Sequence, residues 1–368
     1  MAGGALNPAA PLPPAPAPAP QRTAALAPPP GLPAAGVAAG AAAASANRFH
    51  LDPAGLLRNG HLQSLLGSLP PLTLLARRGA APLHAAAQPL LLDCGQGVRL
   101  QALYSRARGT RLAVLLHGWE GSAESSCVLS LGTLLYSAGY DVLRLNLRDH
   151  GGTQRLHREI FHSCRLPEVV GALQAIAQRW EAAPLYLAGF SLGGNFMLRA
   201  AAQAALPAAV RGIVAISPVL DPAATLLALE QGLPLYRRSL VRRWSRSLRD
   251  KQRAWPGVHD FTRLRRLGDL RRMTAALVRA HTEFADIDAY LQGYAIIGSR
   301  LERLQTACCL LLAEDDPLIP IGDLDHLASS PRLSVWRSRY GGHCGFMQGL
   351  RLPSAADRFV LQQFEAFS

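Results

Sequence analysis

The sequence predicts an α/β fold: a mostly parallel β-sheet with helices on both faces and a helical cap over the sheet's carboxyl edge. Three observations predict it. From Arg111 onward, short continuous apolar runs, as expected of strands buried on both faces, alternate with segments whose apolar residues recur at helical spacing. The alternation stops over about residues 219–305, where the chain is Arg-rich and helical in pattern, and then resumes with further strands. An insertion bracketed by strands of one sheet reads better as a cap than as a separate domain. Third, "AGFSLGGNFM" places Ser191 where a strand pattern runs into a helix pattern.

In chain order, residues 1–46 are mostly Ala, Pro and Gly, too poor in bulky apolar side chains to offset the entropy of ordering them, and read as a disordered tail. Prolines interrupt every stretch there that could serve as a secretory signal, and no later segment approaches the length of a membrane span, so the expected location is cytoplasmic. Residues 47–368 then form the folded domain. It opens with the arm "NRFHLDPAGLLRNGHLQSLLGSLPPL", of short helical potential and ended by Pro70 and Pro71. Two strands follow in "PLLLDCGQGVRLQALYSR", joined by a glycine-containing turn. The parallel series runs through the strand "LAVLLHG", a helix from about Ser125 to Ala138, the strand "YDVLRLNL", the helix "LPEVVGALQAIAQRW", the strand "PLYLAGF", the helix "LGGNFMLRAAAQAAL" and the strand "VRGIVAIS". After the cap come the strand "ACCLLLAE", a helix in "IGDLDHLASS", the strand "LSVWRSR" and a closing helix in "SAADRFVLQQFEAF".

The formal charge is +13, and it is uneven. From Tyr236 to Ala280 the chain carries 14 basic residues against Asp250, Asp260 and Asp269. A solvated helical face, inflated by codon bias toward Arg, is the preferred account, with peripheral contact to an anionic membrane as the alternative. Nucleic acid is not expected, because no helix-turn-helix, zinc or aromatic-platform motif accompanies the charge. The 6 cysteines form no C-x-x-C pair and are expected as free, mostly buried thiols.

A serine hydroxyl attacks a carbonyl only when exposed and relieved of its proton. The G-x-S-x-G turn around Ser191 supplies exposure. Its partners should follow in the order acid, then histidine. The strand "CCLLLAE" ends in "DDPLIP", placing Asp315 or Asp316 at a carboxyl strand end, where it would orient the imidazole; an Asp-Pro turn is the lesser alternative. "YGGHCGF" then places His343 one strand and one helix later, as the general base. The backbone N–H groups of Leu192, after the serine, and Trp119, in "LLHGWEGS", are the candidate oxyanion donors. His150 in "LRDHGGT" precedes the serine and is assigned to structuring its loop. The spacing of His281 and Asp286, sometimes linked with acyltransferases, recurs by chance. No metal or organic cofactor is needed.

The stretches "RNGHLQS", "LHGWEGS", "NLRDHGGT", "GFSLGGN", "TEFADIDAYLQGYA", "AEDDPLIP" and "YGGHCGFM", in this order, resemble the α/β-hydrolase superfamily over about residues 47–368. Within it they resemble the YheT-like subgroup, also called the AB hydrolase 4 family. The resemblance implies an eight-stranded, mostly parallel sheet with a helical cap, and an esterase or lipase-like serine hydrolase; some members transfer medium-chain acyl groups to alcohols. It carries the nucleophile onto Ser191, the base onto His343 and the acid onto the aspartate pair. An acid followed by Pro and two apolar residues favours Asp316. The sequence departs from the pattern at Ser64, where Thr is usual, and in the Arg-rich stretch before Thr282. The arm, including His61 and Gln63, is expected to be structural. The expected activity is therefore hydrolysis of short- to medium-chain acyl esters or lipids; the alternatives are acyl transfer to an alcohol, or a catalytically silent binding protein of the same fold.

Overall fold

The computed structural model describes residues 47–67 and 69–368; the tail expected over 1–46 lies outside the described residues. One sheet is built from β1 (Asn47–Arg48), β2 (Ala87–Asp93), β3 (Arg99–Ser105), β4 (Leu112–Leu116), β5 (Asp141–Leu145), β6 (Leu185–Phe190), β7 (Val210–Ile216), β8 (Ala307–Ala313) and β9 (Leu333–Ser338). Its order is β1-β9-β8-β7-β6-β4-β5-β3-β2. Every pairing from β1 to β5 in that order is parallel, while β3 runs antiparallel to both β5 and β2. The sheet has nine strands against the expected eight. The addition is β1, which pairs Asn47 with Trp336 and Arg48 with Arg337; two residues carry no readable period.

The helices are α1 (Gly60–Leu66), α2 (Pro70–Gly79), α3 (Ala81–Ala85), α4 (Ser126–Ser137), α5 (Leu166–Arg179), α6 (Leu192–Ala201), α7 (Pro222–Gln231), α8 (Pro234–Ala254), α9 (Thr262–Arg266), α10 (Leu270–His281), α11 (Ile287–Gly293) and α12 (Ala355–Ala366). β4 shows how they clamp the sheet. Leu112, Val114 and Leu116 pack toward α5 and α6, while Ala113 and Leu115 pack toward α4 and α12, the two-residue alternation of a strand buried on both faces. Between β7 and β8, α7 to α11 gather a separate apolar cluster around Trp244, Phe261, Met273 and Leu277.

Three local expectations differ from the structure. Pro70 and Pro71 begin α2 rather than ending the arm, because proline at the first helical turn loses no helical hydrogen bond. "IGDLDHLASS" forms only a 3-10 turn over Ile321–His326. α6 stops at Ala201, with a turn where "QAAL" was expected to continue it. Among the described residues, no helix is long and apolar enough to cross a membrane.

Candidate active site

Ser191 joins β6 to α6 with φ 52° and ψ −119°, a left-handed backbone that a side-chain-bearing residue adopts only at a cost. Its surroundings enforce the turn. The Ser191 N–H donates to the Ile216 carbonyl at 2.9 Å, tying the elbow to the end of β7. A β-carbon on Gly189 would lie 2.5 Å from the Gly193 carbonyl carbon, and one on Gly193 would lie 2.4 Å from the Leu116 carbonyl oxygen. Both contacts are with backbone, so both positions require glycine; this is the physical content of the G-x-S-x-G spacing.

Leu192 is the first residue of α6, so its N–H has no helical carbonyl to bond. Gly118, in the loop after β4, packs directly on Ser191, and Trp119 and Leu192 both line the cavity around the serine. Two histidines brace that loop. His117 donates from Nδ1 to the Gly118 carbonyl at 2.7 Å and accepts the Leu147 N–H at Nε2, 3.2 Å. His150 donates from Nδ1 to the Arg148 carbonyl at 2.7 Å and accepts the Glu120 N–H at Nε2, 3.3 Å. Burial, aided by His150, pushes His117 down to about 3, and burial lowers His150 as well. Both rings are therefore neutral, as each needs one nitrogen free to accept.

His343 lies in the loop after β9, with Nε2 3.0 Å from Ser191 Oγ and Nδ1 2.9 Å from Asp316 Oδ2. The Asp316 side chain is fully buried, and its Oδ1 accepts the N–H groups of Leu318 and Ile319 at 2.8 and 3.1 Å. The Asp-Pro turn and the imidazole partner are thus one residue: one carboxylate oxygen closes the turn and the other meets the ring. Burial acts to lower the His343 pKa, but the Asp316 carboxylate outweighs it and holds the imidazole well above its usual value. Asp315 is directed elsewhere, accepting the Gly342 N–H at 2.8 Å.

The arm expected to be structural holds this loop. The Ser64 hydroxyl donates to the Gly60 carbonyl at 2.6 Å and accepts the His343 N–H at 2.7 Å. Gln63, fully buried, donates to the Leu57 and Met347 carbonyls and accepts the Met347 N–H. Sequence reasoning missed Ser64 as the residue bonded to the His343 N–H, since the two lie 279 positions apart. His281 and Asp286 stand away from the serine: His281 packs on His259 and Phe261, and Asp286 caps α11 by accepting the Ala289 N–H.

A cavity of about 450 Å³ opens from Ser191 and His343 to Leu226, Leu229, Trp244 and Leu277 of α7, α8 and α10. α8 is tied to the supporting loops twice. Ser247 Oγ donates to Glu120 Oε2 at 2.5 Å, and the buried Lys251 ammonium donates to Asp149 Oδ1 at 2.8 Å and to the carbonyls of His157 and Glu159. Burial pushes Glu120 up to about 7, opposed by the Ser247 hydrogen bond and Arg243. Among the described residues, no group of three or more His, Cys, Asp or Glu is placed to hold a metal ion.

Residues 113–350 match the family described as the alpha/beta hydrolase fold. The chain is 27% identical over 250 residues to the Escherichia coli (strain K12) protein YheT, which bears the name of an esterase; the match covers 65% of this chain and 71% of that one. It is 27% identical over 270 residues to the Homo sapiens protein ABHD15, covering 70% of this chain and 55% of the human one, little more than half its length. Among solved structures, a 2,6-dihydroxy-pseudo-oxynicotine hydrolase superposes with a TM-score of 0.50 at 17% identity, covering 79% of this chain and 70% of that one, a likeness of fold.

Proposed function

The chain belongs to the α/β-hydrolase fold family, in its YheT-like subgroup, and from that premise we propose that it cleaves carboxylic esters through an acyl-enzyme on Ser191. The observation that carries this reading is the continuous line from Ser191 Oγ through His343 to the buried Asp316, with contacts of 3.0 and 2.9 Å. Ser191 attacks the ester carbonyl while His343 Nε2 takes its proton. The C–O bond to the alcohol then breaks as His343 returns the proton to the leaving oxygen, and water repeats the cycle to release the acid. Asp316 holds Nδ1–H toward itself, so that Nε2 is free to accept, and stabilises the ring once protonated. The N–H groups of Leu192 and Trp119 receive the negative charge on the tetrahedral oxygen. The apolar cavity walls take the acyl chain. A cytoplasmic location belongs to the same proposal, supported by six cysteines that are all free.

Hydrolysis of p-nitrophenyl esters of graded chain length by the wild type and by Ser191→Ala tests the reading. The expected result is activity with an optimum in chain length, lost in the variant; retained activity in Ser191→Ala would sink it. Running the wild type with ethanol present separates release to water from transfer to alcohol.

A further inference from the structure

We propose that the outward face of α8, with the leucines at the α7–α8 corner, docks the protein on an anionic lipid surface. α8 carries eight basic residues and one acid, Asp250. Its inward side is occupied: Tyr236, Trp244 and Leu248 enter the cap core, and Lys251 is paired with Asp149. Helical spacing puts Leu235, Arg238, Arg242 and Arg246 on the opposite side, and all four are exposed. Asp250 is approached by Arg249 and Arg253 at 3.9 and 3.8 Å, whereas Arg238, Arg242 and Arg246 have no carboxylate within 4.0 Å among the described residues. Like charges in such a row repel one another, and an anionic surface relieves that repulsion.

Charge alone does not choose the partner; the neighbouring leucines do. Leu233 and Leu235 are 42% and 53% exposed at the corner where α7 meets α8, and Leu227 within α7 is 47% exposed. A lipid surface satisfies both features at once, with headgroups against the guanidinium groups and the acyl boundary around the leucines. RNA satisfies the cations and leaves the leucines in water. The same helix also walls the cavity through Ser239, Leu240 and Arg243. Docking there brings lipid-borne esters alongside the chamber that contains Ser191.

The full chain carrying Ser191→Ala is sedimented with vesicles of phosphatidylcholine alone and of phosphatidylcholine mixed equally with phosphatidylglycerol, so that docking is read independently of turnover. Expected are binding to the mixed vesicles that weakens with added salt, and little to phosphatidylcholine alone. Arg238→Glu, Arg242→Glu and Arg246→Glu together lower the affinity by about a hundredfold or more. Leu233→Ser with Leu235→Ser lowers it by about tenfold or more. All these side chains are exposed, and unchanged thermal melting of the variants is the check on folding. Equal binding to both vesicle types, wild-type affinity in the arginine variant, or an unaffected leucine variant combined with full competition by single-stranded RNA would overturn the proposal.

Discussion

Around Ser191 the contacts that set the supporting loops each include a main-chain group, whereas the cap above it is tied to those loops by pairs of side chains. The elbow is held by a main-chain hydrogen bond and by glycines that a β-carbon would force apart, and the Trp119 loop and the Asp316 turn by single side chains, His117, His150 and Asp316, that bond main-chain groups. The cap helices meet the rest of the chain through individual side chains, Ser247 on Glu120 and Lys251 on Asp149. The contrast teaches where precision and adaptability reside. On the proposed reading, chemistry sits on the part built into the strand ends, and the chamber above it is walled by side chains of the cap helices.

The largest expected effects come from breaking the rigid half. His343→Ala and Asp316→Asn each lower kcat/KM for a short ester by about a thousandfold or more, while Asp315→Asn lowers it by less than about tenfold. Equal losses at the two aspartates would contradict the assignment. Next is the bridge to the cap. Lys251→Met removes one partner of a buried pair and leaves Asp149 uncompensated, destabilising the fold by about 3–5 kcal/mol in denaturant unfolding. A smaller effect is expected at the arm. Ser64→Ala frees the His343 N–H from its acceptor and lowers kcat by about tenfold with KM little changed, and Ser64→Thr restores it. The pH profile sharpens the comparison further. The folded His343 pKa is raised by Asp316, so activity, which needs the neutral ring, rises as pH climbs through an apparent value above the ordinary imidazole one. The stability contributed by the His343–Asp316 pair runs the other way: it is fully present below the unfolded pKa and is lost as pH rises through the folded one.

Legibility divides along the same line. The strand runs and the glycines around Ser191 are local signals, because continuous burial and a steric ban on β-carbons act on residues adjacent in sequence. Asp316 could be separated from Asp315 only by the pattern of the residues after it, since both follow the same strand; the structure adds that one turns toward the ring and the other toward Gly342. Ser64 was unreadable as a partner of His343, because a hydroxyl in a short helix carries no mark of a loop 279 positions away. The two-residue β1 and the Ser247–Glu120 contact were hidden for the same reason: neither has a period, and each exists only once distant segments meet.

The most direct test of the central claim is covalent labelling of the folded protein with a fluorophosphonate, followed by peptide mass spectrometry. The account predicts a single adduct on Ser191, formed quickly in the wild type, slowed by at least about a hundredfold in His343→Ala, and absent in Ser191→Ala. Labelling of another residue, or a wild-type protein that stays unmodified while folded, would contradict it.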